Sequence, residues 1–255
     1  MKTVGLIAAM HMESQALLRL VKEPKRIRVG RFQGYRFQLS QWDCVLVECG
    51  WGMFRAEAAT RFLIDQLHPS LVISFGIAGA VEDDLNIGDV VCAEKHFLLQ
   101  NGNLKKKKGS SSLSQSAQKE IMKYLKPKEA RLYSGTTVTT RGSQLIPKTR
   151  KALVHPVLEM ETAGIVQGIV ETGIPLISLR TISDGPQAPI PFDLEAMIDE
   201  DYKMRMGKVL LAIVKRPKIL TQAFKMSKNS QVAADNAAMA VMAVLSSSDP
   251  IYSPN

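Results

Sequence analysis

Long hydrophobic runs, metal-ligand spacings and aromatic clusters are all missing from this sequence, and each absence removes a class of function. No apolar run approaches the roughly 20 residues that a membrane-spanning helix requires. The apolar start, Met1 to Met10, meets polar residues too early for a secretory signal, so a cytoplasmic location is expected. Cysteine is scarce: Cys44, Cys49 and Cys92 are odd in number, with no CxxC and no Cys/His spacing. That pattern fits neither a disulfide framework nor a zinc site, and no metal is expected. The three read as small buried hydrophobes. Aromatic residues make up 6% of the chain and none interrupts Lys105 to Lys108. A lysine run without stacking partners reads as solvated surface, so nucleic acid is not an expected partner. Nothing repeats at a period of 20 to 50 residues.

What is present is enough apolar material for a large core: 255 residues, 45% hydrophobic. A net charge of +9 is compatible with an anionic partner, and charge alone does not choose between a phosphate-bearing ligand, a nucleic acid and a membrane surface. Thr3 to Ala9 is a continuous apolar strand, and His11 to Lys22 reads as a helix with Leu17, Leu18 and Val21 inward and Glu13 in its first turn. Arg26 to Val29, Tyr35 to Leu39 and Cys44 to Glu48 read as a strand meander. Gly50-Trp51-Gly52 precedes a helix from Phe54 to Leu67, and is either a plain turn or a place where backbone N–H groups approach a ligand. Leu71 to Phe75 is a buried strand, followed by the small residues Gly76 to Ala80, which let a ligand near the backbone. Gly88 to Ala93 reads as a strand and Asn101 to Ser114 as a polar loop or disordered insert. Gln115 to Leu125 reads as helix, Ala130 to Val138 as strand and Ser143 to Leu153 as helix.

The most informative stretch is Leu158-Glu159-Met160-Glu161-Thr162-Ala163 with Arg180-Thr181-Ile182-Ser183-Asp184 about twenty residues later. Val157 to Met160 is a short strand, Glu161 to Gly173 a helix, and Ile174 to Ile182 a buried strand. Glu159, Glu161 and Asp184 thus fall at strand ends, where ligands bind in open α/β sheets. An acid at a helix start also serves the macrodipole, so Glu161 has a purely structural alternative. Asp184, past a strand, has no helix to serve. Strand and helix alternate throughout, which gives an α/β class with a central sheet, mixed because of the early meander.

Taken together these segments resemble the nucleoside phosphorylase and nucleosidase superfamily, most closely its methylthioadenosine/S-adenosylhomocysteine nucleosidase branch, over about residues 3 to 215. The resemblance rests on Gly5 to Met10 with Glu13, on Gly50-Trp51-Gly52, on Gly76-Ile77-Ala78-Gly79 with Leu85 to Val91, and on the two stretches just named. It implies a three-layer α/β/α fold with a central mixed sheet and cleavage of a ribose N-glycosidic bond, with no cofactor. Departure of a purine needs a proton on the base and leaves an oxocarbenium-like sugar. The resemblance gives Asp184 the base, Glu161 a ribose hydroxyl and the sugar's charge, and Glu13 the incoming water. Arg180 is implied to orient the carboxylate cluster. Met10, Ile77, Val138, Thr139, Glu159 and Met160 are implied to line the nucleoside site.

Several positions depart from the family pattern. Ile77 replaces a serine, Val138 and Thr139 stand where an aromatic stacks on the base and an aliphatic neighbour reads its edge, and the stretch after Phe97 lacks a His-Asp-rich run. The expected substrate is therefore a purine nucleoside, adenine the leading base, with an unusual 5′ substituent. A phosphorylase, with phosphate as co-substrate, is the alternative. It needs a basic oxyanion site, whereas the first loop reads Met10-His11-Met12-Glu13 and only Arg55 is a nearby basic residue. A non-catalytic nucleoside-binding or membrane-surface module is the third reading, against which Glu13, Glu161 and Asp184 stand together.

Residues 201 to 255 carry eight Lys/Arg against three Asp/Glu. The expected organisation is a nucleosidase-like domain over 1–215, closed by a helix at Val209 to Val214, and a basic helical extension over 216–255. Lys215-Arg216-Pro217-Lys218 breaks the helix before Ile219, Leu220, Ala223 and Phe224, which share one face flanked by Lys218, Lys225 and Lys228. Val232 to Leu245 is an apolar stretch of fourteen residues, too short to span a bilayer. Both segments either pack on the core or across a dimer interface, or form a basic apolar surface on an anionic membrane, making the enzyme peripheral to it. The tail resembles the extension of the hopanoid-associated nucleosidase/phosphorylase branch. A homo-oligomer, a dimer, is expected.

Overall fold

The computed structural model describes residues 1–109, 112–140, 152–186, 218–247 and 251–253, with side chains from residue 226 onward in the last helix. The centre of the sheet is parallel. β1 (Lys2–Ala8) lies between β4 (Trp42–Glu48) and β5 (Leu71–Ala80), and β11 (Leu176–Asp184) runs beside β5. These strands are apolar on both faces because both are covered. Val4, Leu6 and Ala8 pack toward α1 (His11–Leu18), α3 (Gln115–Leu125) and α5 (Lys218–Ser246). Ile7, Val45 and Val47 pack toward α2 (Met53–Leu67) and α4 (Thr162–Ile169). The result is the expected three-layer α/β/α arrangement with a mixed sheet.

Toward one edge, β3 (Phe32–Leu39) and β2 (Lys25–Val29) continue from β4 as an antiparallel meander. Toward the other, β6 (Val90–Gln100) is antiparallel to β11 and parallel to β9 (Leu132–Thr139), which is parallel to β10 (Pro156–Glu159). β10 then turns back onto β5, with Val157 opposite Ala80 and Leu158 opposite Gly79. Strands β5, β11, β6, β9 and β10 thereby close a ring, and Ala78, Ala80, Val91, Val157 and Ile182 form a small core of their own.

Three expectations are corrected. The first helix stops at Leu18, not Lys22: Pro24 disfavours a helical residue before it, and Glu23 takes φ +47°. Residues 103–107 and 112–113 are strands and not part of a loop. Asn101 and Gly102 adopt φ of +51° and +74°, a hairpin turn that returns β6 into β7 (Asn103–Lys107). Lys105 to Lys107 therefore lie on a strand, where lysine discourages edge-to-edge pairing. β8 (Ser112–Leu113) follows and pairs with β12 (Tyr252–Ser253). The helix after β10 is shorter than expected and spans Thr162–Ile169, with Glu161 as its N-cap and Gly173 at φ +68° beyond its end.

The tail follows one of the two alternatives expected for it. α5 packs on β5, β11, α1 and α3, and its Ala234, Ala237, Ala238, Val241, Val244 and Leu245 are part of the main core. Alanines let the helix lie close over the sheet, so Val232 to Leu245 packs on the core, as the first of the two alternatives has it. Among the described side chains of this helix, those alanines, valines and Leu245 are covered by the core. The helices expected at Ser143 to Leu153 and Val209 to Val214 fall, but for residues 152 and 153, outside the described residues, as do the side chains of Lys218, Ile219, Leu220, Ala223, Phe224 and Lys225. No described helix is long and apolar enough to cross a membrane.

Candidate active site

Four strand ends converge on a group of carboxylates, Glu13 and Glu159 buried and Glu161 and Asp184 half-buried. Where β1 gives way to α1, Glu13 folds back toward the sheet. Its Oε2 accepts from the backbone N–H of Ala9 at 2.9 Å and of Met10 at 2.8 Å, and its Oε1 from that of Ile77 at 2.9 Å. The side chain is 2% exposed. Burial raises its pKa; the N–H groups of Met10 and Ile77 and the charge of Arg180 oppose the rise without cancelling it. Gly76 is required for this fit, because a Cβ there would collide with Glu13 Oε1.

Glu161 sits at the entrance to α4 and accepts from Gly52 N at 2.9 Å through Oε1. The Gly50-Trp51-Gly52 turn, with φ of +76° and +97° at its glycines, thus directs an N–H at a carboxylate of the protein itself. The contact depends on close packing of α2 on α4, since a Cβ on Gly164 would collide with Met53 O and one on Gly168 would lie 2.8 Å from Thr60 Cβ. Burial and then the charge of Glu159 push the Glu161 carboxyl up to about 8, with Gly52 N–H acting against them.

Glu159 is the best-satisfied acid of the group. Its Oε2 accepts from Glu161 N at 2.9 Å and from Thr162 N and Oγ1, both at 2.7 Å, while Thr139 Oγ1 donates to Oε1. Arg180 Nη2 lies 3.4 Å from Oε2 and also donates to Ser74 Oγ at 2.7 Å and Thr162 Oγ1 at 2.9 Å. Burial alone would raise the Glu159 pKa, but Arg180, Thr139 and Thr162 outweigh it and hold the group below its usual value. Glu159 is therefore an anchored anion in the wall. Thr139 helps to hold it there, and because its hydroxyl also accepts from Ala163 N at 2.9 Å, the same side chain fixes the start of α4.

Asp184 ends β11 beyond a bulge that follows Ile182, opposite Gly79 of β5. A Cβ on Gly79 would lie 2.7 Å from Asp184 Oδ2, so glycine leaves room for the carboxylate. Ser183 Oγ donates to Oδ1 at 2.6 Å. Burial raises the Asp184 pKa and the Ser183 hydroxyl opposes it. Val138 is buried in β9, and Met160 N lies 3.3 Å from Glu161 Oε2. Arg55 is tied to the preceding turn, donating through Nε to Cys49 O at 2.9 Å with its guanidinium 5.7 Å from the Phe32 ring centroid. Among the described residues no group of three or more His, Cys, Asp or Glu side chains is gathered to hold a metal.

The sequence alone does not reveal Ser74, Thr162 and His96 as members of this region. Ser74 and Thr162 are ordinary polar residues next to apolar ones, and only the partner Arg180 marks them. His96 is 1% exposed, with Nδ1 2.7 Å from Thr137 Oγ1 and its pKa lowered to about 4, by burial above all.

The model of the Phosphorylase superfamily matches residues 3–215. The chain belongs to this superfamily. Among curated members, it is 26% identical over 211 residues to the 5′-methylthioadenosine/S-adenosylhomocysteine nucleosidase of Listeria monocytogenes, covering 75% of this chain and 91% of the relative. Among solved structures, the same kind of nucleosidase from Colwellia psychrerythraea, in complex with adenine, aligns with a TM-score of 0.70 at 20% identity, over 96% of this chain and 94% of that one. The futalosine hydrolase mutant of Helicobacter pylori aligns with a TM-score of 0.65 at 15% identity, over 95% and 98%. At these identities the two structures establish that the superfamily fold is shared.

Proposed function

We propose that this phosphorylase-superfamily enzyme hydrolyses the ribose N-glycosidic bond of a purine nucleoside, adenine being the leading base. Asp184 is the general acid: its raised pKa keeps a proton available for the departing base. Glu13 activates the water. Glu161 accepts from a ribose hydroxyl, and with Glu13 it faces the sugar as positive charge develops. Burial penalises both anions while the sugar is neutral; a cationic sugar relieves that penalty, so their charge favours the transition state over the ground state.

The observation that carries hydrolysis over phosphorolysis is the seat of Glu13. The three N–H groups of Ala9, Met10 and Ile77 make a cradle of the kind that binds an oxyanion, and a carboxylate of the chain already fills it. A phosphate dianion would meet that charge with Arg55 turned to Cys49 O. The relatives named above are nucleosidases and a hydrolase, which supports the same reading.

An unusual 5′ substituent belongs to the proposal, because the stretch after Phe97 departs from the family pattern and forms the lysine-bearing β6–β7 hairpin beside α4, where Lys107 Nζ donates to Gln167 Oε1 at 3.1 Å. Assembly as a homodimer is retained with it. The test is product analysis on 5′-methylthioadenosine and on adenosine derivatives enlarged at the 5′ position, each with and without inorganic phosphate. Free base and free sugar at equal rates in both conditions are expected. Sugar 1-phosphate formed only with phosphate would replace the hydrolase by a phosphorylase.

A further inference from the structure

The turn preceding β6 is held from several directions. Asp89, 1% exposed, accepts from Asn86 N at 2.8 Å through Oδ2 and from Arg131 N at 2.7 Å through Oδ1. Gly88 N donates to Ile182 O at 2.9 Å, and Ile182 N donates to Asp89 O at 2.9 Å. The turn is therefore laced to both sides of Ile182, the last regular residue of β11 before the bulge that leads to Asp184.

A side chain from α5 reaches this turn. Asn236, 1% exposed, donates through Nδ2 to Gly88 O at 2.8 Å, and its Oδ1 accepts from Lys128 Nζ at 2.9 Å. Gly88 has φ +91°, and a Cβ on it would lie 3.0 Å from Asn236 Nδ2. The rest of that helix face is alanine and valine, and a buried primary amide is costly unless it is hydrogen bonded. Both ends of this one are satisfied, and its donor goes to the residue that grips Ile182.

We propose, on the reading of Asp184 as general acid, that Asn236 is a positioning residue for the Asp184 carboxyl. Its amide fixes Gly88, Gly88 and Asp89 fix Ile182, and Ile182 sets where the bulge begins and so where Asp184 points. α5 thereby takes part in the chemistry from outside the pocket. The residue lies beyond the 3–215 span matched by the superfamily.

The test uses the full-length protein with 5′-methylthioadenosine as probe. Asn236→Asp keeps the size and the Lys128 contact but turns an acceptor toward Gly88 O; Asn236→Leu removes both bonds; Lys128→Met removes only the bond to Oδ1. The expected result for Asn236→Asp, per folded molecule, is a kcat lowered by about tenfold to 100-fold, the scale of a small misplacement of a reacting group, with KM little changed. Its upper pH limb should move to lower pH as Asp184 becomes more solvated. Lys128→Met should stay near the parent, and Asn236→Leu should follow Asn236→Asp where it folds. The amides of Gly88 and Ile182 should exchange with solvent faster in Asn236→Asp while those of β1 and β4 keep their rates. A purely structural role would lower the melting temperature and leave kcat, pH limb and these two amides at parent values, and that result overturns the inference. Should the parent cleave neither this probe nor an adenosine derivative enlarged at the 5′ position, the functional reading falls first. Amide exchange at Ile182 and the 13C titration of the Asp184 carboxyl then decide the positioning claim, and unchanged values in Asn236→Asp overturn it.

Discussion

Arg180 reaches Glu159 and not Asp184: its Nη2 lies 3.4 Å from Glu159 Oε2, and its remaining bonds go to Ser74, Thr162 and the backbone of Leu179. The cation therefore stabilises the anion that anchors the α4 entrance and leaves the proposed acid free to keep its proton. Removing one member of such a buried pair strands the other, at a cost of about 3–5 kcal/mol. Arg180→Met and Glu159→Gln should each lower the unfolding free energy on that scale. The double variant should lose less than the two single losses added, as chemical denaturation would measure.

Asp184→Asn keeps the shape of the acid without its proton, so base release should fall by about 100-fold to 10,000-fold, with the melting temperature close to the parent's. In the parent, only the protonated acid works, and its pKa lies above the ordinary value. Activity should therefore decline as pH rises through that raised pKa, a limb that Asp184→Asn should lack. Turnover of the variant within tenfold of the parent would remove Asp184 from the role.

In the unliganded protein Glu161 holds its proton, because burial and the charge of Glu159 disfavour its anion. Its folded pKa, about 8, lies above the ordinary value of 4.5, so the folded state binds its proton more tightly than the unfolded chain. The stability from that bound proton is present in full below pH 4.5 and is lost as pH rises toward and past about 8. Glu161→Gln should accordingly melt higher than the parent at about pH 9 and lose this advantage toward about pH 4, while cleaving nucleosides poorly. A melting-temperature difference independent of pH would contradict the assignment.

Gly164→Ala should disturb Glu161 without touching it. The added methyl would run into Met53 O, forcing α2 from α4 and drawing Gly52 N away from the Glu161 carboxylate. Overpacking of this kind costs about 1–3 kcal/mol, and a loss of turnover beyond the unfolded fraction is expected with it. Gly173→Ala serves as the comparison: it has φ +68° and nothing within 4 Å of its Cβ, so only the backbone penalty of roughly 1–2 kcal/mol should appear, with turnover unchanged.

Much of the fold is legible in the sequence because the central strands are buried on both faces and therefore read as unbroken apolar runs: Thr3 to Ala9, Cys44 to Glu48, Leu71 to Phe75 and Ile174 to Ile182. The three acids at strand ends are legible for the same reason, standing out against apolar neighbours. What escapes is long-range. Nothing in Val157 or Leu158 announces that they turn back onto Ala80 and Gly79. The Asn101-Gly102 hairpin signal is masked by its polar surroundings and by the lysines of β7. The alanine face of α5 is visible as apolar, but periodicity names no target, so the core and a membrane look alike from the sequence. Arg180 shows the same limit: its position in the strand is plain, and its choice of Glu159 depends on Ser74 and Thr162 arriving from two other elements.

The ring of β5, β11, β6, β9 and β10 also dictates an order of assembly during synthesis. β5 is complete at residue 80, yet its β10 and β11 neighbours appear only after residues 156 and 176, and the helix that covers it only after residue 218. Until then, the growing chain carries an uncovered apolar strand that has no local partner on that side. Contacts so distant along the chain close slowly, and an exposed strand edge invites association with other chains in the meantime. The elements that end this exposure are thus made long after β5 itself, which makes escape from aggregation depend on how soon α5 follows.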